Sequence, residues 1–230
     1  NPTPTEIRKM DPAMLKVVDP SEIPKNLYRF MVIDPAGERK DRPGDAWAMH
    51  LVGVEPYRDD LGLSDIYLLD SIIRELTFEE AHEELVKMYL NGGRILQLGV
   101  EKVGQSTAEI HVANALRFKG RNLSIQDETL VILKPGGRKK ADRIESALVW
   151  PLNNGKIHVS SAIPQSTRDR LKFEMDRFPL WHDDGLDALS YVYDLLKNYR
   201  FGSRPTEKEP ERKWLRKFRD GLRKDGWLGV

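Results

Sequence analysis

Runs of apolar residues predict that the first half of the chain is rich in strands. Residues 28–34 are mostly apolar and include aromatic and β-branched side chains, which predicts a strand, and Asp34-Pro35 ends the run at a turn. Residues 46–54 predict a second strand, and residues 66–69, with an extension toward 73, predict a third. The short connections between these three strands predict antiparallel pairing.

Helical spacing of apolar residues begins after the third strand. Thr77 and Glu80 form a capping-box pattern that predicts a helix start, and Gly92-Gly93 predicts its end. The patterns that follow predict further strands over 94–100, 123–133 and 156–160, and further helices over 105–118, 138–150, 165–178 and 183–199. Strands that alternate with helices after an initial meander predict an α/β domain with a mixed sheet flanked by helices.

The composition is that of a soluble globular protein. Of the 230 residues, 40% are hydrophobic and 32% are charged, and no apolar run is long enough to span a bilayer. The absence of cysteine excludes disulfides and thiolate metal sites and favours a reducing compartment. We expect an N-terminal linker or packed arm over residues 1–27, one domain over 28–200 and a basic tail over 201–230.

The charge distribution is uneven although the formal net charge is only +1. Residues 201–230 hold nine Lys/Arg and five Asp/Glu, so the tail is basic and the rest of the chain is slightly acidic. A basic tail is compatible with nucleic-acid binding and equally with a solvated terminus. The sequence begins with Asn1 rather than Met, and we expect a fragment of a longer polypeptide or a processed product.

Acidic residues stand at three places where predicted elements begin or end. Asp34 and Glu101 follow predicted strands, and the pair Asp183-Asp184, with Asp187, opens a predicted helix. Sites in α/β sheets form at the carboxyl ends of strands, and carboxylates are the ligands that Mg²⁺ and Mn²⁺ prefer. Because two such ions can promote phosphodiester hydrolysis, the pattern indicates a metal-dependent nuclease.

Each of these acidic residues also has a plainer interpretation. Asp34 suits an Asp-Pro turn, Glu101 suits a surface pair with Lys102, and one carboxylate at a helix start suits capping. A cap needs only one carboxylate, however, and clustered carboxylates repel one another. Helical spacing allows either Asp183 or Asp184 to face one ion together with Asp187, and it also allows Asp187 to orient the site from behind.

With these residues in place, the chain resembles the C-terminal nuclease domain of the large terminase subunit of tailed double-stranded DNA bacteriophages. The resemblance runs from about residue 25 to residue 200. Its most specific part is His-Asp-Asp-Gly-Leu-Asp-Ala-Leu at residues 182–189. The segments that share the pattern are 30–36, 45–47, 99–101, 138–144, 151–152 and 155–157.

The resemblance implies a ribonuclease H-like fold, which integrases and resolvases share. It implies a catalytic triad of Asp34, Glu101 and Asp184, with Asp183 close by, that binds two Mg²⁺ or Mn²⁺ ions. One ion would lie between Asp34 and Asp184 and the other between Asp34 and Glu101. The activity implied is cutting of concatemeric viral DNA during genome packaging, with little sequence specificity.

The resemblance also implies partners and a location. The partners are double-stranded DNA and, in the full-length protein, the portal protein and the small terminase subunit, with no membrane. The location is the host cytoplasm, at the procapsid. Full-length relatives carry an ATPase motor, and this chain has no Gly-x-x-x-x-Gly-Lys-Ser/Thr phosphate loop, so we expect a nuclease domain without its motor.

A glycine-rich turn before a cationic helix start is the best candidate for DNA contacts. Gly136-Gly137 precedes Arg138, Lys139 and Lys140, which could follow a phosphate backbone or could simply be solvated. Two other functions stay open. One is a different ribonuclease H-like nuclease of the resolvase or transposase type, and the other is a non-catalytic module that docks to the packaging motor.

Overall fold

A mixed β-sheet forms the centre of the protein. The computed structural model describes residues 9–36, 46–58, 64–102, 112–116, 129–134, 137, 139–197 and 202–203. The strands are β1 Lys16–Val18, β2 Tyr28–Asp34, β3 Trp47–Val54, β4 Tyr57–Arg58, β5 Ile66–Arg74, β6 Ile95–Glu101, β7 Leu130–Leu133, β8 Ile157–Ser160 and β9 Gly202–Ser203. Seven of them form one sheet in the order β1-β8-β5-β3-β2-β6-β7, and β4 pairs with β9 separately.

The strand directions confirm the predicted meander. Strand β3 runs antiparallel to both β2 and β5, whereas β6 runs parallel to β2 and β7 runs parallel to β6. On the other side, β8 runs parallel to β5 and to β1. Because Ile33 on β2 faces Val100 on β6, the carboxyl ends of these two central strands lie side by side.

Helices cover both faces of the sheet, so the domain has three layers. The helices are α1 Phe78–Asn91, α2 Lys140–Asn153, α3 Gln165–Arg177, α4 Asp184–Ser190 and α5 Val192–Leu196. Helix α1 and the helical residues 112–116 share one apolar core with the sheet face that carries Met31 and Ile33. Helices α2 to α5 share a second core with the face that carries Phe30 and Val32.

The fold confirms the main predictions about local structure. The mixed sheet flanked by helices is present, and Thr77 and Glu80 form the predicted capping box at the start of α1. Gly93, after the end of α1, has a φ of 73°, a conformation that glycine adopts without the steric cost of a side chain. The predicted N-terminal arm contributes more than a covering segment, because its residues 16–18 form β1 at the edge of the sheet.

Two predicted helices have different bounds in the structure. The segment predicted as one helix over 183–199 forms two consecutive helices that meet at Tyr191, whose N–H donates to the carbonyl of Ala188, three residues earlier. The helix predicted over 138–150 continues through Pro151 to Asn153, because Pro151 and Leu152 are buried and hold its last turn against the domain.

Some predictions fall on residues that the structure does not describe. Arg138, Asp45, most of the predicted helix over 105–118, residues 123–128 of the predicted strand and residues 204–230 of the basic tail lie outside the described residues. Within the described ranges, no helix combines the length and the apolar character needed to cross a membrane.

Candidate active site

Two of the predicted acidic residues meet at the carboxyl end of the central strands. Asp34 is the last residue of β2, and Glu101 is the last residue of the parallel strand β6. They follow the paired residues Ile33 and Val100, so they project from neighbouring strands. Glu101 is buried and Asp34 is partly buried, on the side of the sheet that helix α4 covers.

Asp187 on helix α4 completes a cluster of three carboxylates. One oxygen from each of Asp34, Glu101 and Asp187 lies within 4.8 Å of the other two. Asp187 is only 2% exposed and lies one helical turn after Asp184, the third member of the triad that the resemblance implies. Within the described residues, the structure therefore groups Asp34 and Glu101 with Asp187, a residue that the sequence allowed either as a ligand or as an orienting residue.

The three carboxylates repel one another in a largely buried site. Burial raises the pKa of Asp34 well above its usual value, and the negative charge of Glu101, its hydrogen bond to Asp34 and the charge of Asp187 raise this pKa further. Lys140 acts in the opposite direction. The arrangement is unfavourable for three ionised carboxylates alone, and a bound cation would relieve the repulsion.

Lys140 and the acidic residues at the start of α4 form a second layer around this cluster. The Lys140 ammonium lies 2.7 Å from Asp183, 3.1 Å from Asp187 and 3.8 Å from Asp184. Burial by itself would lower the pKa of Lys140, but the charges of Asp187 and Asp183 outweigh it and raise this pKa. The predicted role of Lys140 in DNA binding stays a prediction, and the structure directs its ammonium toward carboxylates.

Asp184 lies at the first position of α4, next to Lys140. Its Oδ2 atom is buried and has no hydrogen-bond partner among the described residues. Burial raises the pKa of Asp184, although the charge of Lys140 lowers it. A buried carboxylate oxygen without a partner is costly, which makes Asp184 a candidate ligand even though it stands apart from the cluster of three.

Two further residues touch the cluster and were not singled out from the sequence. Arg143 on α2 forms an ion pair with Asp187, and the Tyr191 hydroxyl donates a hydrogen bond of 2.8 Å to Glu101. The Arg143 guanidinium lies 4.1 Å from the centre of the Tyr191 ring. The sequence offered a signal for Arg143, because it lies one helical turn after Lys140. Tyr191 lies within the helix predicted over 183–199, and no sequence feature distinguished it.

Contacts from other elements fix the start of α4. The ring of His50 on β3 bonds the carbonyl of Gly185, and the buried carboxylate of Glu174 on α3 accepts a hydrogen bond of 3.1 Å from the N–H of Leu186. A Cβ atom on Gly185 would lie 2.5 Å from Ile73, so only glycine allows α4 to approach the sheet this closely. These contacts place Asp187 opposite Asp34 and Glu101.

The described cluster is suited to a hard divalent cation. It offers only oxygen ligands, its members converge from two strands and one helix, and its net charge is negative. Mg²⁺ and Mn²⁺ prefer ligands of this kind.

Comparison with known proteins identifies the fold. No protein-family profile and no curated protein matches the sequence. The nuclease domain of the large terminase of phage P22 matches with a TM-score of 0.54 and 15% identity, over 84% of this chain and 93% of that one. The magnesium-bound large terminase nuclease of the thermophilic phage G20c matches with a TM-score of 0.50 and 12% identity, over 80% of this chain and 94% of that one. The chain therefore has the ribonuclease H-like fold of large terminase nuclease domains, as predicted.

Proposed function

We propose that this chain is a metal-dependent DNA endonuclease that cuts concatemeric viral DNA during genome packaging. The observation that carries the proposal is the convergence of carboxylate oxygens from Asp34, Glu101 and Asp187 to within 4.8 Å of one another. The fold, shared with phage large terminase nuclease domains, supports the choice of reaction. A module that only docks to other proteins would have no need to concentrate buried acidic groups at this point.

The residues present fit Mg²⁺ or Mn²⁺. Asp34, Glu101 and Asp187 would hold one ion, and Asp183 and Asp184 at the start of α4 are the candidates for a second ion together with Asp34. The raised pKa of Asp34 and the unpartnered buried oxygen of Asp184 are both relieved by a cation. When bound, a pair of such ions supplies an activated water and stabilises the leaving 3′-oxygen of a phosphodiester.

The side chains of the protein have three tasks in this reaction. The carboxylates must stay ionised and fixed in direction, which the contact of Arg143 with Asp187 and the contact of Tyr191 with Glu101 favour. The packing of α4 against the sheet keeps the site rigid, so the reacting phosphate meets preorganised groups. The partial burial of the carboxylates strengthens their interaction with a cation compared with bulk water.

The substrate we propose is double-stranded DNA bound through its backbone. Lys139 and Lys140 stand at the start of α2, Arg138 precedes them in the sequence, and Lys140 links this helix start to the acidic cluster through Asp187. Contacts of cations with phosphates give affinity without reading the sequence, so we propose weak sequence preference. We further propose that the full-length protein acts in the host cytoplasm at the procapsid, with the portal protein and the small terminase subunit as partners.

The test is nicking of supercoiled plasmid by the purified domain with Mn²⁺, with Mg²⁺ and with EDTA. We expect metal-dependent cutting that Asp34→Asn and Glu101→Gln each reduce by roughly 100-fold or more, since residues that only orient metal ligands already cost about 10–100-fold when mutated. Asp194→Asn is the matched control, because Asp194 is a helical aspartate paired only with Lys197 among the described residues and lies outside the cluster. This control should cut like wild type.

Two results would contradict the proposal. If micromolar protein cuts with neither metal and also fails to bind Mn²⁺, the cluster is not a metal site. If cutting persists in Asp34→Asn, the chemistry lies elsewhere. A non-catalytic docking module would give the first result and would leave particle assembly unaffected by Asp34→Asn.

A further inference from the structure

We infer that Tyr191 and Arg143 are positioning residues that hold Glu101 and Asp187 in their metal-binding arrangement. This inference rests on the proposed function, because it concerns the same acidic cluster. It assigns a purpose to the interruption between α4 and α5 and to a buried arginine, neither of which the ligands alone explain.

The first step is the contact between Tyr191 and Glu101. The hydroxyl of Tyr191 donates a hydrogen bond of 2.8 Å to Oε1 of Glu101. Tyr191 is only 1% exposed, so water does not compete for this bond. A glutamate at the end of a strand has three rotatable side-chain bonds, and fixing one of its oxygens restricts the direction of the whole carboxylate.

The second step links Tyr191 to Asp187 through Arg143. Arg143 is 5% exposed and pairs with Asp187, while its guanidinium lies 4.1 Å from the centre of the Tyr191 ring. A guanidinium over an aromatic face is attracted by the ring, which fixes both groups. A continuous series of contacts therefore runs from Glu101 through Tyr191 and Arg143 to Asp187, and it connects β6, α2 and α4.

The third step is the position of Tyr191 between two helices. The N–H of Tyr191 donates to the carbonyl of Ala188, three residues earlier rather than the four of a regular α-helix. Helix α5 starts at the next residue. Tyr191 is therefore the residue that joins the two helices, and its side chain reaches β6 from there. A purely apolar residue at this position would fill the core but would leave Glu101 without this donor.

The experiment separates positioning from packing by removing single hydroxyl groups. Tyr191→Phe keeps the ring, its packing and its contact with Arg143, and removes only the donor to Glu101. The matched control is Tyr193→Phe, because the Tyr193 hydroxyl is buried and has no hydrogen-bond partner among the described residues. Binding of Mn²⁺ to each protein is measured by isothermal titration calorimetry without DNA, and the melting temperature is measured in EDTA.

We expect Tyr191→Phe to weaken Mn²⁺ binding about 10-fold, in the range found for residues that orient metal ligands. Plasmid nicking at a fixed low Mn²⁺ concentration should fall with it and recover at saturating Mn²⁺. Tyr193→Phe should bind Mn²⁺ like wild type. Arg143→Lys, which keeps the charge and loses the planar group that lies over Tyr191, should also weaken Mn²⁺ binding.

The outcomes distinguish this inference from the proposed function. If wild type binds Mn²⁺ and Asp34→Asn does not, while Tyr191→Phe binds like wild type, the positioning role is overturned and the nuclease proposal stands. If Tyr191→Phe changes only the melting temperature, Tyr191 is a packing residue and the inference is likewise overturned. If wild type binds no Mn²⁺, the proposed function fails and the inference falls with it.

Discussion

The Nε2 atom of His50 lies 2.8 Å from the carbonyl oxygen of Gly185, although the two residues are 135 positions apart in the sequence. Its Nδ1 atom lies 2.9 Å from the hydroxyl of Ser71. Since a carbonyl only accepts, Nε2 carries the proton and Nδ1 accepts from Ser71. Burial lowers the pKa of His50 to about 4, so the ring is neutral near pH 7. This contact ties the start of α4, which carries the acidic residues, to the middle of the sheet.

The first prediction concerns the hydrogen bond between His50 and Gly185. His50→Leu leaves the Gly185 carbonyl and the Ser71 hydroxyl without their partner in the core, which should lower the free energy of unfolding by about 2 kcal/mol. The measurement is urea unfolding in EDTA at pH 7.5. His182→Leu is the control, because His182 is exposed, and it should change stability by less than about 0.5 kcal/mol. Equal effects of the two substitutions would show that the buried bond contributes nothing.

A second prediction concerns pH, because two buried groups act in opposite directions. His50 has a pKa of about 4 when folded and near 6.5 when unfolded, so its contribution to stability is lost as pH falls from 6.5 to 4. Burial raises the pKa of Glu174 to about 7, from 4.5 when unfolded, so its contribution is gained as pH falls from 7 to 4.5. Between pH 4.5 and 6.5 the changes of these two contributions with pH should nearly cancel, so the free energy of unfolding should vary little there.

The variant Glu174→Gln separates the two contributions, because it removes the titration of Glu174 and keeps that of His50. Relative to this variant, wild type should gain about 3 kcal/mol of stability as pH falls from 7 to 4.5, because only wild type takes up a proton at Glu174 on folding. The measurement is urea unfolding in EDTA at several pH values, compared as the difference between the two curves. A difference that does not change with pH would mean that the Glu174 pKa is close to normal in the folded protein.

The third prediction is a gain of stability at the cost of function. Asp34 has a raised pKa because of burial and the neighbouring carboxylates, so at pH 8 its ionised form opposes folding in the absence of metal. Asp34→Asn should therefore stabilise the domain in EDTA by about 1–2 kcal/mol and abolish cutting. Thermal unfolding in EDTA measures the change in stability, and plasmid nicking with Mn²⁺ measures the loss of cutting. Destabilisation in EDTA would indicate that Asp34 makes a favourable structural contact instead.

Two residues of this site, Asp34 and Glu101, could be predicted from the sequence for a physical reason. Asp34 and Glu101 end apolar runs, and parallel strands bring such ends to one edge of the sheet. The third carboxylate could not be chosen in this way. Which of Asp184 and Asp187 faces the sheet depends on how α4 is rotated as it docks, and contacts with residues distant in sequence, such as His50, fix that rotation.

Tyr191 and Arg143 were not singled out from the sequence for the same reason: their partners are distant in sequence. Tyr191 lies inside the helix predicted over 183–199, and only the packed structure shows that its hydroxyl reaches Glu101. Arg143 was only one residue of the predicted helix over 138–150, yet it is buried against Asp187. Periodicity predicts which residues are buried, but it does not show which polar partners they meet.

A fourth prediction separates the acidic residues of α4. Asp187→Asn should abolish Mn²⁺ binding as Asp34→Asn does, because Asp187 belongs to the cluster of three. Asp184→Asn should keep one Mn²⁺ and lose cutting, because Asp184 is a candidate ligand only for a second ion. Calorimetric stoichiometry together with plasmid nicking measures this. Loss of all Mn²⁺ in Asp184→Asn, with normal binding in Asp187→Asn, would reverse the two roles.

The fifth prediction concerns Lys140, whose ammonium lies 3.1 Å from Asp187 and 2.7 Å from Asp183. A bound cation and this ammonium compete for the same carboxylates, so Lys140→Gln should strengthen Mn²⁺ binding several-fold. The loss of stability in EDTA should stay below about 1 kcal/mol, because Lys140 is 43% exposed and solvent screens its charge.

Lys139→Gln is the matched control for this prediction. Lys139 is the exposed neighbour that precedes α2, and its substitution should leave Mn²⁺ binding unchanged. If both lysines contact phosphates, each substitution should also reduce the salt dependence of DNA binding by about one counterion. Weaker Mn²⁺ binding in Lys140→Gln would show that the ammonium orients the carboxylates rather than competing for them, which would place Lys140 beside Tyr191 and Arg143 as a positioning residue.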